Sequence, residues 1–168
     1  MFHFFKKKEE KKEDVYIEND LGKFLVTTFG KTTPMLEGKI DWPDRQNDVE
    51  ACIICSSEDE NAQTKNLDYL RQILANKEEL DEKLKDFIVN DQMNEAGLVP
   101  IWGEVDAEEE PDPISGEEFR KMLHLSYIRI YEDTTAEFVF PADKMFTDHD
   151  LVVWADSNLK LMECLLEG

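Results

Sequence analysis

Two hydrophobic periods divide the chain. Val15-Tyr-Ile17 and, after Asn19-Asp-Leu-Gly22, the run Phe24-Leu-Val-Thr-Thr-Phe29 are rich in β-branched and aromatic residues, the composition of half-buried strands, and Gly30 ends the run. Leu36-Glu-Gly-Lys-Ile-Asp-Trp42 alternates apolar and polar, which places Leu36, Ile40 and Trp42 on one face before Pro43 stops the strand. Ala51-Cys-Ile-Ile-Cys55 is apolar throughout, as a central strand buried on both faces requires. The first third of the chain is thus predicted to be a meander.

The period then changes to that of a helix. Leu67, Leu70 and Leu74 recur at three and four residues, and Leu80, Leu84, Phe87 and Ile88 resume the stripe after a polar gap at Asn76-Lys77. Asn76 with Glu79 three residues later has the capping-box arrangement, so the pattern predicts two helices, over 62–75 and 77–93. Residues 96–114 read as a long acidic loop, after which Ser115 and Glu118 cap a short helix carrying Phe119, Met122 and Leu123. Strands return in two hairpins. Tyr127-Ile-Arg-Ile-Tyr131 and Ala136-Glu-Phe-Val-Phe140 flank Glu-Asp-Thr-Thr, and Leu151-Val-Val-Trp154 and Leu159 to Leu166 flank Asp156-Ser-Asn158. Strands, then helices, then strands joined by short turns predict an α+β domain: an antiparallel β-sheet, built from a meander plus carboxy-terminal hairpins, with two or three helices packed on one face.

Length and composition agree with one domain. The chain has 168 residues, 41% of them apolar, with ten Phe, three Trp and four Tyr, enough to form a core without a metal or a disulfide. Residues 6–14 are a mixed-charge run with no apolar anchor, so 1–14 is expected to be a charged, mobile arm and 15–168 a single acidic domain. Phe2, Phe4 and Phe5 either dock that arm or form a short hydrophobic tag. The three cysteines are expected to be reduced thiols, and no run reaches the length of a membrane span or has the form of a signal peptide, so a cytoplasmic location is expected.

Charge changes the picture more. With 39 Asp and Glu against 19 Lys and Arg, the formal net charge is −20, and without residues 1–14 it is still −21. Such a surface repels phosphate backbones and anionic lipid headgroups and speeds encounter with basic proteins, so neither nucleic acid nor a membrane is the expected partner.

The apolar and acidic positions of the second half have a further use. The order Glu117-Glu118-Phe119, Leu125 with Ile128 and Ile130, Asp133, Glu137-Phe-Val-Phe140, Asp143, Met145-Phe146 and His149, preceded by Gly38-Lys-Ile-Asp-Trp42 and Asn90-Asp91, resembles an uncharacterised bacterial family, domain of unknown function 2262, over residues 22–168. The resemblance implies a bacterial protein and brings no activity, cofactor or site residue with it.

Motifs with chemistry are few. Cys52 and Cys55 have CxxC spacing, but a structural zinc site needs four ligands, and in a strand the two thiols point to opposite faces, so both are expected in the core. Asp106, Glu108, Glu110, Asp112 and Glu117 follow the ligand positions of a calcium loop, but Pro111 stands where the sharp turn needs glycine, which leaves at most a weak calcium-responsive surface. No metal and no cofactor is therefore expected. His149, between Asp148 and Asp150, is the best single catalytic candidate, with a structural hydrogen-bonding role as the plainer reading. The segment 102–112 joins an aromatic anchor, Trp102, to six acids, Glu104, Asp106, Glu108, Glu109, Glu110 and Asp112, and is the candidate partner-binding loop, or else a solubilising one. The favoured expectation is a non-enzymatic domain that binds a basic protein, such as an immunity-protein-like inhibitor of a toxin. A small-molecule binder or enzyme with a pocket near His149 is the alternative.

Overall fold

A computed structural model describes residues 14–30, 32–43, 48–55, 61–93, 113–142 and 149–168. Within them the chain forms β1 (Tyr16–Asn19), β2 (Gly22–Phe29), β3 (Thr33–Ile40), β4 (Val49–Ile54), α1 (Ala62–Ala75), α2 (Lys77–Gln92), α3 (Gly116–Met122), β5 (Tyr127–Ile130), β6 (Ala136–Pro141), β7 (Asp150–Ala155) and β8 (Leu161–Glu167). The predicted α+β architecture is the one observed. The strands make one sheet in sequence order, β1 to β8, and every neighbouring pair is antiparallel except β4 and β5. Two four-stranded meanders are thus fused edge to edge through a parallel pair. That pair follows from the helices, because only a long crossover returns the chain to start a parallel neighbour.

The helices and one sheet face enclose a single core. Phe24, Leu36, Ile40, Val49, Ala51, Ile53, Ile128, Ile130, Phe138, Leu151 and Val153 fill it from the sheet, and Leu67, Leu70, Ile73, Leu84, Ile88 and Phe119 from the helices. The register explains one glycine. Phe24 lies directly opposite Gly38, and a Cβ at Gly38 would sit 2.6 Å from the Phe24 ring, so glycine makes room for that buried aromatic. Trp42, just beyond β3, enters the same core as its spacing predicted, and its indole N–H donates to Asp81 Oδ1 at 2.8 Å.

Capping followed expectation at one helix and not at another. Ser115 and Glu118 form the predicted capping box of α3, with Ser115 Oγ accepting from the Glu118 N–H and the Glu118 carboxylate accepting from the Ser115 N–H at 2.9 Å. Asn76 separates α1 from α2 where predicted but makes no capping bond; its Nδ2 donates instead to the Gln72 carbonyl at 2.8 Å, and Glu79 pairs with Lys83. The reason is geometric. A single residue joins the two helices, so the last carbonyls of α1 stand closer to the Asn76 side chain than do the first amides of α2. Ion pairs then hold the layers: Arg71 of α1 makes two bonds to Asp20 in the β1–β2 turn, and Arg120 of α3 reaches Glu82 and Asp86 of α2.

Candidate functional site

Alternation sends every second strand residue to the sheet's other face, and among the described residues no helix or strand packs on that face. One cross-strand row spans all eight strands: Tyr16, Leu25, Glu37, Cys52, Arg129, Glu137, Trp154 and Glu163. Its centre is a closed polar cluster. Arg129 Nη1 donates to Glu137 Oε2 at 2.7 Å, and the Tyr131 hydroxyl donates to Glu137 Oε1 at 2.6 Å. The guanidinium carbon lies 5.3 Å from the Tyr127 ring centre and 6.0 Å from that of Tyr131, and Tyr131 stacks on Trp154 at 5.3 Å with the planes 15° apart.

The environment of each group follows from this packing. Burial alone would lower the Arg129 guanidinium, but the Tyr131 hydroxyl and the Glu137 carboxylate hold it above its ordinary value. Burial pushes the Tyr127 and Tyr131 phenols up, the Cys52 thiol adding to the first and Glu137 to the second. Each Glu137 oxygen accepts one bond and its side chain is 5% exposed, so it serves as an internal acceptor for Arg129 and Tyr131. The result is an ordered patch of two tyrosines, a tryptophan and an arginine. These are residue types that dominate binding energy at protein interfaces.

Carboxylates surround the patch. Glu18, Glu37, Glu50, Glu132 and Glu163 are exposed on this side, against Lys23 and Lys39. Lys23 covers the Tyr16 ring at 4.0 Å, and Lys39 is paired with Asp48. Two grooves flank the cluster. The larger, about 570 Å³, is lined by Phe29, Thr33, Ile54, Tyr131, Glu132, Asp133, Thr135 and Trp154, and the smaller, about 260 Å³, by Leu25, Glu37, Gly38, Lys39, Glu50, Ala51 and Tyr127.

The residues singled out in the sequence are distributed differently. Trp102, Glu104, Asp106, Glu108, Glu109, Glu110 and Asp112 lie outside the described residues, as do Asp148 and the amino-terminal phenylalanines. His149 is exposed immediately before β7 and lines neither groove; five residues of strand separate it from Trp154, roughly 16 Å at the usual rise per residue. Asp150 pairs in register with Glu167. Glu117 of the calcium pattern is bonded to Lys121 on α3, and among the described residues no group of three or more His, Cys, Asp or Glu is placed to hold a metal.

Cys52 and Cys55 point to opposite faces as expected, Cys55 into the core and Cys52 into the cross-strand row, and neither is in a disulfide. Burial raises both thiols, and it pushes Cys164 up to about 12 with the Asp91 carboxylate assisting. All three cysteines should therefore resist a thiol reagent in the native protein at mildly alkaline pH, reacting at least about tenfold more slowly than in urea. A fast-reacting native thiol would mean that burial does not protect it.

Arg129 and Glu137 were not singled out in the sequence, although the signal was there. The hairpin Tyr127–Phe140 puts Arg129 opposite an acid set between Ala136 and Phe138, and an acid in an apolar strand facing a cation is a candidate buried pair.

The sequence model of one family matches residues 18–165; it is described as an uncharacterised protein conserved in bacteria, DUF2262. No curated protein and no solved structure matches significantly. Among the described residues, no helix is long and apolar enough to cross a membrane.

Proposed function

We propose that this chain, which belongs to the bacterial family DUF2262, is a non-enzymatic binding module whose sheet face opposite the helices docks a basic protein. The observation that carries this reading is the ordered cluster of Tyr127, Arg129, Tyr131 and Trp154, fixed from below by Glu137 and ringed by carboxylates. A rigid aromatic and arginine centre supplies affinity at little ordering cost, and the net charge of −20 steers a basic partner towards it. An inhibitor that covers the basic surface of a toxin, for instance a nuclease, is the concrete form this reading takes. The six acids of segment 102–112 contribute to that net charge.

The test is capture of a basic protein from the native bacterium at low salt, with wild type compared against Trp154→Ala and Glu50→Lys/Glu163→Lys. Removing a central tryptophan should cost about 2 kcal/mol or more of binding, roughly a thirtyfold loss of affinity. Reversing two rim charges should slow association chiefly at low salt. Equal retention by wild type and both variants, with their circular dichroism unchanged, would overturn the assignment to this face. Charge reversal at Glu108, Glu109 and Glu110 measures the share of segment 102–112 separately.

A further inference from the structure

The groove of about 570 Å³ beside the cluster has a chemistry of its own. It crosses the sheet from the β2–β3 hairpin, at Phe29 and Thr33, over Ile54 to the β5–β6 turn and Trp154. Ile54 is 3% exposed and gives an apolar floor, whereas Phe29 is 51% exposed, a large aromatic left half in solvent. Tyr131 and Trp154, stacked with their planes 15° apart, form an aromatic wall. Glu132 and Asp133 add two carboxylates at the rim, and among the described residues no lysine or arginine forms an ion pair with either.

The turn holding those acids is itself fixed. Asp133 Oδ1 accepts from the Thr135 N–H at 3.1 Å and from its hydroxyl at 2.7 Å, which leaves the second carboxylate oxygen free of that bond. The Thr135 hydroxyl also holds the Asp133 carboxyl below the usual carboxylate range. The anion therefore stands ready without a rearrangement on binding.

We propose that this groove receives an arginine side chain of the basic partner, its guanidinium against the Tyr131–Trp154 wall and paired with Glu132 and Asp133, its methylene stem over Ile54 and Phe29. The inference rests on the reading of the sheet face opposite the helices as a protein-docking surface. Arginine fits better than lysine for a physical reason. A guanidinium is planar, weakly hydrated and stacks on aromatic rings while bonding carboxylates in its plane, whereas an ammonium is a compact, strongly hydrated point charge. The face already contains one such layer, in which Arg129 packs between Tyr127 and Tyr131. The groove's volume lies within the roughly 300–1,000 Å³ of small-ligand sites, ample for one arginine side chain.

The test uses the full chain and three blocked tripeptides, Gly-Arg-Gly, Gly-Lys-Gly and Gly-Gln-Gly, followed by amide and indole N–H shifts in heteronuclear spectra. The arginine peptide should shift the Trp154 indole and the Tyr131–Thr135 turn saturably, with a dissociation constant of about 1 mM, a value expected for one side chain. The lysine peptide should bind several-fold more weakly and the glutamine peptide should leave those signals in place. Glu132→Gln with Asp133→Asn, which keeps the turn's acceptor, should weaken the arginine peptide roughly five- to tenfold. No saturable shift with arginine, an equal shift with glutamine, or an unchanged affinity in the double variant would each overturn the proposal. If these shifts fail while capture of a basic protein still depends on Trp154, the groove is not the arginine site and the docking face stands; if the peptide binds and no partner is captured, the reverse holds.

Discussion

Replacing Asp81 by alanine should destabilise the fold by about 3 kcal/mol, measured as the shift in urea unfolding followed by circular dichroism. Asp81 is 4% exposed, and it accepts from the Trp42 indole at 2.8 Å through Oδ1 and from Lys85 Nζ at 2.9 Å through Oδ2. Lys85 sits one helical turn further along α2, and only 12% of its side chain is exposed, so solvent screens this pair far less than it screens Lys83 with Glu79 on the same helix. Alanine strips a carboxylate from a nearly buried ammonium and an acceptor from a buried indole at once. The position also ties the exit of β3 to α2, since Trp42 itself is 2% exposed in the core.

Two controls separate charge from hydrogen bonding. Asp81→Asn keeps an acceptor for Trp42 and should lose less than alanine, while Asp81→Leu with Lys85→Met removes both charges and should recover part of the loss, because an apolar pair of similar volume is often as stable as a buried ion pair. A loss below about 1 kcal/mol for Asp81→Ala, the range of an exposed pair, would mean that Lys85 swings into solvent at no cost.

What was legible in the sequence was what alternation and local chemistry encode. Leu36 and Ile40 on one face, the all-buried run Ala51–Cys55, the break at Asn76 and the Ser115 box all concern residues within a few positions of each other. The parallel pairing of β4 with β5 was not legible, because it depends on where a crossover of some seventy residues returns the chain, and no local pattern records that. The candidate site failed to emerge for a related reason. Its central residues come from the β5–β6 hairpin and β7 and its rim carboxylates from β1, β3, β4 and β8, and their meaning depends on which sheet face the helices cover; Trp154 or Tyr131 alone reads as an ordinary strand or turn residue. Charge drew attention to 102–112 and His149, where acids are dense along the sequence, while the cluster built around Glu137 uses a single acid at its centre.

Asn66 shows how a residue outside every sequence pattern can govern this site, and Asn66→Ala should cost about 1–3 kcal/mol. Fully buried on α1, its Nδ2 donates to the Ile54 carbonyl at 2.8 Å and to the Tyr131 carbonyl at 3.0 Å, bridging the ends of the two parallel strands where no β-ladder continues. In the variant the Ile54 carbonyl loses this donor, at about 1–3 kcal/mol where water cannot reach it, while the Tyr131 carbonyl keeps the Thr134 N–H at 3.0 Å. Asn76→Ala is the comparison. Asn76 makes the same kind of bond, from Nδ2 to the Gln72 carbonyl at 2.8 Å, but it is exposed, so water replaces the amide and the loss should stay within about 0.5 kcal/mol. The difference between the two variants in urea unfolding isolates the bridge from the chemistry of asparagine. Ile54 and Tyr131 are also the floor and wall of the larger groove, so Asn66→Ala should speed amide exchange in the Tyr131–Thr135 turn and weaken the arginine peptide in the surviving folded state. Equal losses for Asn66→Ala and Asn76→Ala would show that the two strand ends are held by the sheet alone, and that the geometry of the groove owes nothing to the helix beneath it.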